Sequence, residues 1–123
     1  MREALLPFEV EDVRDAVHIV THCLKPDRTP VSVWVEMFEG GYLASDGGVA
    51  FRAFKIRNPD GARNVIEPIA VEFGLKFAPH PVHSFQLEST PPDLDHIRSS
   101  IVGISNAVAH AMRALLSLSP NSI

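Results

Sequence analysis

The chain has 123 residues, 46% apolar and 21% charged, and 15 acids against 11 bases give it a formal net charge of −4. That length suits one domain spanning residues 1–123, with one modest core that removes roughly two-thirds of the unfolded surface from water. The mild acidity argues against a general phosphate-backbone binder, which carries a strong basic excess, and is too weak for mimicry of DNA charge. A single cysteine, Cys23, rules out an internal disulfide, so the fold does not depend on an oxidising compartment. The N-terminal stretch carries acids from Glu3 onward and lacks the apolar segment of a signal peptide. No apolar run approaches the roughly 18 residues that span a bilayer. The expected location is cytoplasmic, with no membrane partner.

In chain order, residues 9–22 place Val10, Val13, Val17, Val20 and Leu24 on the i, i+3, i+7 rhythm of one apolar face, which predicts a helix. Pro7 with Glu9, Glu11 and Asp12 suits its first turn. The second half, VHIVTHC, is β-branched and also reads as a strand. Residues 25–30, KPDRTP, form a turn because two prolines cannot continue a helix. Residues 31–38 alternate, with Val31, Val33, Val35 and Met37 on one face and Ser32, Trp34, Glu36 and Phe38 on the other, the pattern of a strand with one buried face. Glu39-Gly40-Gly41 supplies glycines for positive φ, so Tyr42-Leu43-Ala44 returns as the antiparallel partner. Asp46-Gly47-Gly48 ends that strand.

Residues 49–57 fit either a helix grouping Val49, Ala53 and Ile56 or a strand grouping Ala50, Phe54 and Ile56. Asn58-Pro59-Asp60-Gly61 reads as a turn. A short helix over residues 64–73 follows, with Pro68 tolerated only near its first turn and Gly74 as its stop. Residues 75–88 hold two short extended pieces around Pro79 and Pro81. Thr90-Pro91-Pro92-Asp93 predicts a helix start, with Thr90 as N-cap and proline at the first position. Ile97, Ile101, Ile104, Val108, Met112 and Leu115 then form one stripe through about seven turns. Beside it, Ser99, Ser100, Gly103, Ala107, Ala111 and Ala114 form a band of small residues that admits close approach of another helix, of this chain or of a second copy in a homodimer. The predicted fold is α+β: a small antiparallel sheet packed by an N-terminal helix and a long C-terminal helix.

The order of N-terminal helix, Thr29-Pro30, strand, Gly-rich hairpin, Tyr42-Leu43, Ser45-Asp46-Gly47-Gly48, a short helix ending in Phe73-Gly74-Leu75 and a C-terminal helix resembles a family of small bacterial, archaeal and phage proteins catalogued as a domain of unknown function, DUF1828. The resemblance covers residues 10–115 and implies a phage or mobile-element context rather than an activity. The family carries a threonine-aspartate-aspartate-glycine turn after its second strand. Ser45-Asp46 replaces the doubled acid here, so a paired-carboxylate site is absent at this turn.

Each chemical candidate has a plain structural alternative. Asp46 reads as a turn residue bonded to its own following backbone, with a functional acid at a strand end as the alternative. His18 and His22 lie four apart beside Cys23, and His80 and His83 flank Pro81-Val82. Neither pair brings the third ligand that zinc needs, nor the glutamate of a metalloprotease helix. Cys23, between apolar neighbours, reads as a small buried residue rather than a nucleophile. No nucleophile elbow, phosphate-cradling loop or two-carboxylate nuclease signature is present. The reading therefore names no catalytic residue, no metal and no cofactor. Arg52, Lys55, Arg57 and Arg63 form the main basic concentration, interleaved with Phe51 and Phe54. That pattern suits stacking on single-stranded bases, or an amphipathic element with core phenylalanines and solvated cations.

The functional expectation is a non-enzymatic protein-binding module, phage-borne or on a mobile element, that inhibits or adapts a host complex such as a defence system. Trp34, Phe38 and Tyr42 are its expected contact residues, because interface cores are rich in aromatics. Their alternative is a second core face. Two other classes stay open: a nucleic-acid binder using the basic segment at residues 52–63, and a small enzyme pairing Asp46 with a histidine.

Overall fold

A computed structural model describes residues 9–13, 16–55 and 59–117, with the side chains of 9, 11, 13, 54, 55, 59, 60, 84 and 115–117 left aside. The fold is α+β. Strands β1 (Glu9–Val13), β2 (Ala16–Leu24), β3 (Pro30–Phe38) and β4 (Gly41–Ser45) lead into helices α1 (Val49–Lys55) and α2 (Pro59–Glu72). Strands β5 (Lys76–His80) and β6 (Ser84–Ser89) and the long helix α3 (Leu94–Ser117) follow. The six strands form one sheet in the order β1-β2-β3-β4-β6-β5, antiparallel at every pairing.

The expected N-terminal helix is replaced by β1 and β2. The helical rhythm of Val10, Val13, Val17 and Val20 is a coincidence of spacing. Pairing puts Val10 and Val17 on the side of Ile19, whereas Val20 faces the other way. The β-branched run 17–21 is better served by a strand, and there Ile19 meets Val33 and Val17 meets Val35. The register shifts between Val20 and Leu24. Buried Thr21 fills that irregularity, donating to the Val31 carbonyl at 2.9 Å and accepting from the Cys23 N–H at 3.2 Å.

The β3–β4 hairpin forms as expected, with Phe38 opposite Gly41. Glu39 and Gly40 both have positive φ (46° and 78°), the two-residue turn whose twist matches the strands. Val31, Val33 and Val35 are buried as expected, but Met37 on the same face is 77% exposed.

The ambiguous segment is helix α1. It buries Ala50 and Phe51 and leaves Ala53 exposed, so neither expected grouping holds. Part of the expected turn at residues 58–61 is the first turn of α2, with Pro59 at its opening position, where the missing N–H costs nothing. Asn58 and Ile56 lie outside the described residues. Pro68 therefore sits well inside α2, on its exposed side. Gly74 ends the helix with φ 69°. The N–H groups of Gly74 and Leu75 reach the carbonyls of Val71 (3.1 Å) and Ala70 (2.8 Å), the pair of bonds that closes a helix through a left-handed residue.

Helix α3 begins at Leu94, and its cap is Asp93 rather than Thr90. The Asp93 carboxylate accepts the His96 N–H at 3.2 Å. Ile97, Ile101, Ile104 and Val108 lie in the core with Ile19, Val33, Val35, Ala44, Ile66 and Leu87. Ala107 and Ala111 are fully buried within the chain, and Gly103 approaches the Phe73 carbonyl and Leu75. Of the small-residue band, Ala107 and Ala111 are thus buried within one molecule and Gly103 lies beside the α2–β5 connection, whereas Ser99 is exposed.

The three helices pack on one face of the sheet. Strand parity puts Ile19, Val33, Val35, Ala44 and Leu87 on that face, and Phe51 of α1 meets Phe77 and Phe85 there, at ring separations of 5.7 and 5.2 Å. His18, Ser32, Trp34, Glu36, Leu43, Ser45, Gln86 and Glu88 alternate onto the opposite face. None of them joins the hydrophobic core. Among the described residues, no helix is long and apolar enough to cross a membrane.

Candidate functional site

The site is built on the sheet face turned away from the helices. Trp34 pairs across β2 and β3 with His18, and the two rings stack at 4.8 Å with 25° between planes. On the other side of β3, Trp34 pairs with Ser45 at the end of β4. The chain then turns sharply through Asp46, Gly47 and Gly48 into α1. Gly47 (φ 63°) and Gly48 (φ 76°) are both left-handed. They also permit close packing: a Cβ on Gly47 would lie 2.8 Å from the Trp34 ring, and one on Gly48 would lie 2.6 Å from the His83 Cβ. The glycine pair therefore lets Trp34 and His83 close against the same turn.

Trp34 and His83 help to line a cavity of about 340 Å³. Ser45, Gly47 and Gln86 contribute to its lining, Arg52 and His80 stand on the side of His83, and Glu36, Leu43 and Ala16 complete it. Arg52 sits on the first turn of α1, where its N–H bonds the Gly48 carbonyl at 2.9 Å. Its guanidinium stands 3.4 Å from His83 Nδ1. His80 and His83 stack at 4.5 Å with 19° between planes, and His80 Nδ1 accepts the N–H groups of Val82 (3.1 Å) and His83 (3.2 Å). An Nδ1 that accepts two backbone donors carries no proton, so the neutral His80 ring holds its proton on Nε2. Gln86, only 3% exposed, donates to Glu88 at 2.9 Å.

Asp46 does not face this cavity. It is fully buried, and its carboxylate is occupied by three backbone donors: Oδ1 accepts from Gly48 (2.8 Å) and Leu87 (3.0 Å), and Oδ2 from Ala50 (3.1 Å). It caps the start of α1 and ties that start to β6, a structural task. Burial pushes its carboxyl above the ordinary range, opposed by those three N–H donors and by Arg52. The pairing of Asp46 with a histidine in one pocket does not occur among the described side chains.

Comparison with protein-family models, with curated proteins and with solved structures gave no match to this chain. The chemistry of the site thus rests on its own geometry.

The other expected site residues scatter. Phe38 shares the face of Trp34 and is 42% exposed, near the hairpin tip. Tyr42 points to the opposite face, pairs with Met37 and packs half-buried against the core, so the three aromatics do not form one surface. Of the basic segment, Arg52 lines the cavity, while Arg63 on α2 bonds Glu67 at 3.1 Å and lies over the Phe85 ring at 4.9 Å. The Lys55 side chain and Arg57 lie outside the described residues. Phe51 is 3% exposed and belongs to the core, which removes it as a stacking platform. Half-buried Cys23 points its thiol at the Ser105 carbonyl, 3.5 Å away. Among the described residues, no group of three or more His, Cys, Asp or Glu stands close enough to hold a metal ion.

Sequence reasoning treated Trp34 and Arg52 as parts of different sites and passed over Ser45, Glu36 and Gln86. The doubled glycine was the available signal, since two adjacent left-handed positions imply close packing on both sides of the turn.

Proposed function

We propose that the protein is a binding module that docks a protein partner on the helix-free face of its sheet. The observation that carries this reading is the convergence of Trp34 and Arg52 on one cavity of that face. Tryptophan and arginine dominate the energetics of protein interfaces when they sit in or beside a pocket ringed by polar groups. Ser45, Gln86 and Glu36 supply such a ring, and exposed Phe38 extends the apolar contact toward the hairpin tip. The partner in this reading offers an apolar side chain to Trp34 and an acidic group to Arg52, by charge complementarity. An inhibitor or adaptor of a host complex, in the phage or mobile-element setting implied by the resemblance to the DUF1828 family, is its concrete form.

The test is affinity purification of tagged protein from its native cells with nuclease present, comparing the unchanged chain with Arg52→Ala and Trp34→Ala. Val71→Ala, on the exposed side of α2, serves as the control. A stoichiometric protein that survives nuclease and the control but falls at least tenfold with Arg52→Ala supports the reading. Retention in both face variants overturns it, and so does loss of every partner on nuclease treatment.

A further inference from the structure

We propose that the same cavity is also a site for a small organic acid, with one carboxylate or phosphate group held between Arg52 and His80. The claim concerns the isolated chain and does not rest on the partner-binding reading. Its first support is the size of the cavity, about 340 Å³, which lies within the range of small-molecule sites.

The second support is the donor set at one end. The guanidinium of Arg52 presents a planar fork that matches an oxyanion in two places. Its contact with His83 Nδ1 at 3.4 Å positions it at the cavity wall. His80, stacked on His83, holds Nδ1 as an acceptor toward two backbone N–H groups. In its neutral form its ring therefore carries Nε2–H as a donor. A guanidinium and an imidazole N–H donor of fixed tautomer, lining one end of a cavity, form a preorganised receptor for negative charge.

The opposite end differs. Glu36 stands two residues along β3 from Trp34, beside its cross-strand neighbour Leu43. A second negative charge on the ligand would meet this carboxylate, whereas an amino group would be welcomed. The ligand class is accordingly an acid with a single anionic head and a neutral or cationic tail.

Trp34 is the chain's single tryptophan and lines the cavity, so its fluorescence reports occupancy directly. Purified protein is titrated with acetate, inorganic phosphate, γ-aminobutyrate and succinate, with ionic strength held constant by sodium chloride. The expected result is a saturable change in emission, with γ-aminobutyrate binding several-fold tighter than succinate. The better of acetate and phosphate identifies the head group. Arg52→Ala should weaken binding at least tenfold, and Glu36→Gln should erase the preference against succinate. Arg52 and Glu36 are exposed, so neither change removes core packing, and circular dichroism verifies the fold of each variant. Emission that changes linearly with every salt, or saturable binding unaltered by Arg52→Ala, overturns the proposal.

Discussion

Replacing Asp46 by asparagine tests whether this buried acid is the joint between the sheet and α1. The side chain keeps its shape but exchanges one acceptor oxygen for an NH2 donor. The remaining oxygen does most in the place of Oδ1, where it serves both Gly48 and Leu87. The new NH2 then faces the Ala50 N–H, which had bonded Oδ2 at 3.1 Å. Two buried donors are left without an acceptor, each costing about 1–3 kcal/mol, and relief from burying a charge offsets part of this. A net loss of about 3 kcal/mol is expected at pH 7, a large fraction of the roughly 5–15 kcal/mol that holds a domain together. It corresponds to a fall of about 10 °C in Tm. Urea unfolding followed by Trp34 fluorescence and far-ultraviolet circular dichroism measures it as a lower midpoint with an unchanged slope.

The pH dependence of the same pair of proteins is sharper still. Burial raises the Asp46 carboxyl above its ordinary value. A carboxyl raised on folding contributes stability that is fully present below the unfolded value, near 3.8, and lost as pH rises through the folded value. The gap between wild type and Asp46→Asn should therefore narrow as pH rises from 4. Asp27 and Asp93 are lowered, by hydrogen bonds from Thr29 and His96 respectively, and His96 is raised by Asp93. These groups titrate in both proteins and cancel in the difference. A gap that widens with rising pH would show that the three N–H donors outweigh burial. A loss below about 1 kcal/mol would refute the role of Asp46 as the joint.

Gly47→Ala should destabilise by about 1–2 kcal/mol for its left-handed backbone alone. It should also shift Trp34 emission, because the added methyl would press on the indole at 2.8 Å; an unshifted spectrum would argue against that packing. Glu39→Asn should raise the urea midpoint, by about 0.5–1 kcal/mol of stability, since Glu39 occupies a left-handed position (φ 46°) that asparagine followed by Gly40 adopts readily. Pro68→Ala should stabilise α2 by about 1–3 kcal/mol, because proline inside a helix removes one backbone bond; a loss of stability would mean that the rigidity of proline in the unfolded chain outweighs that bond. Ile101→Ala, at a fully buried position of α3, should cost about 2–5 kcal/mol in the same unfolding assay.

The amino-acid order by itself determined those elements whose local chemistry points one way. The alternation of Val31, Val33 and Val35 with Trp34 and Glu36, the Glu39-Gly40 turn, the Gly74 stop and the isoleucine stripe of α3 all hold in the structure. Each depends on a period or a backbone constraint that neighbouring residues settle. Strand β1 was not legible and β2 only in part: the β-branched run from Val17 reads as a strand, but Val10, Val13, Val17 and Val20 also satisfy a helical spacing, and only pairing with β3 decides for the strand. Residues 49–55 were undecided for the same reason, until Phe51 found Phe77 and Phe85. The roles of Asp46 and Tyr42 depended on burial, which no local pattern reports. The cavity was the least legible feature. Trp34, Arg52, His83 and Gln86 lie on three separate elements and one loop, and only the folding of β6 beside β4 brings them to one place. Local preferences set the strands and helices, but a site assembled from distant residues exists only once the tertiary contacts are made.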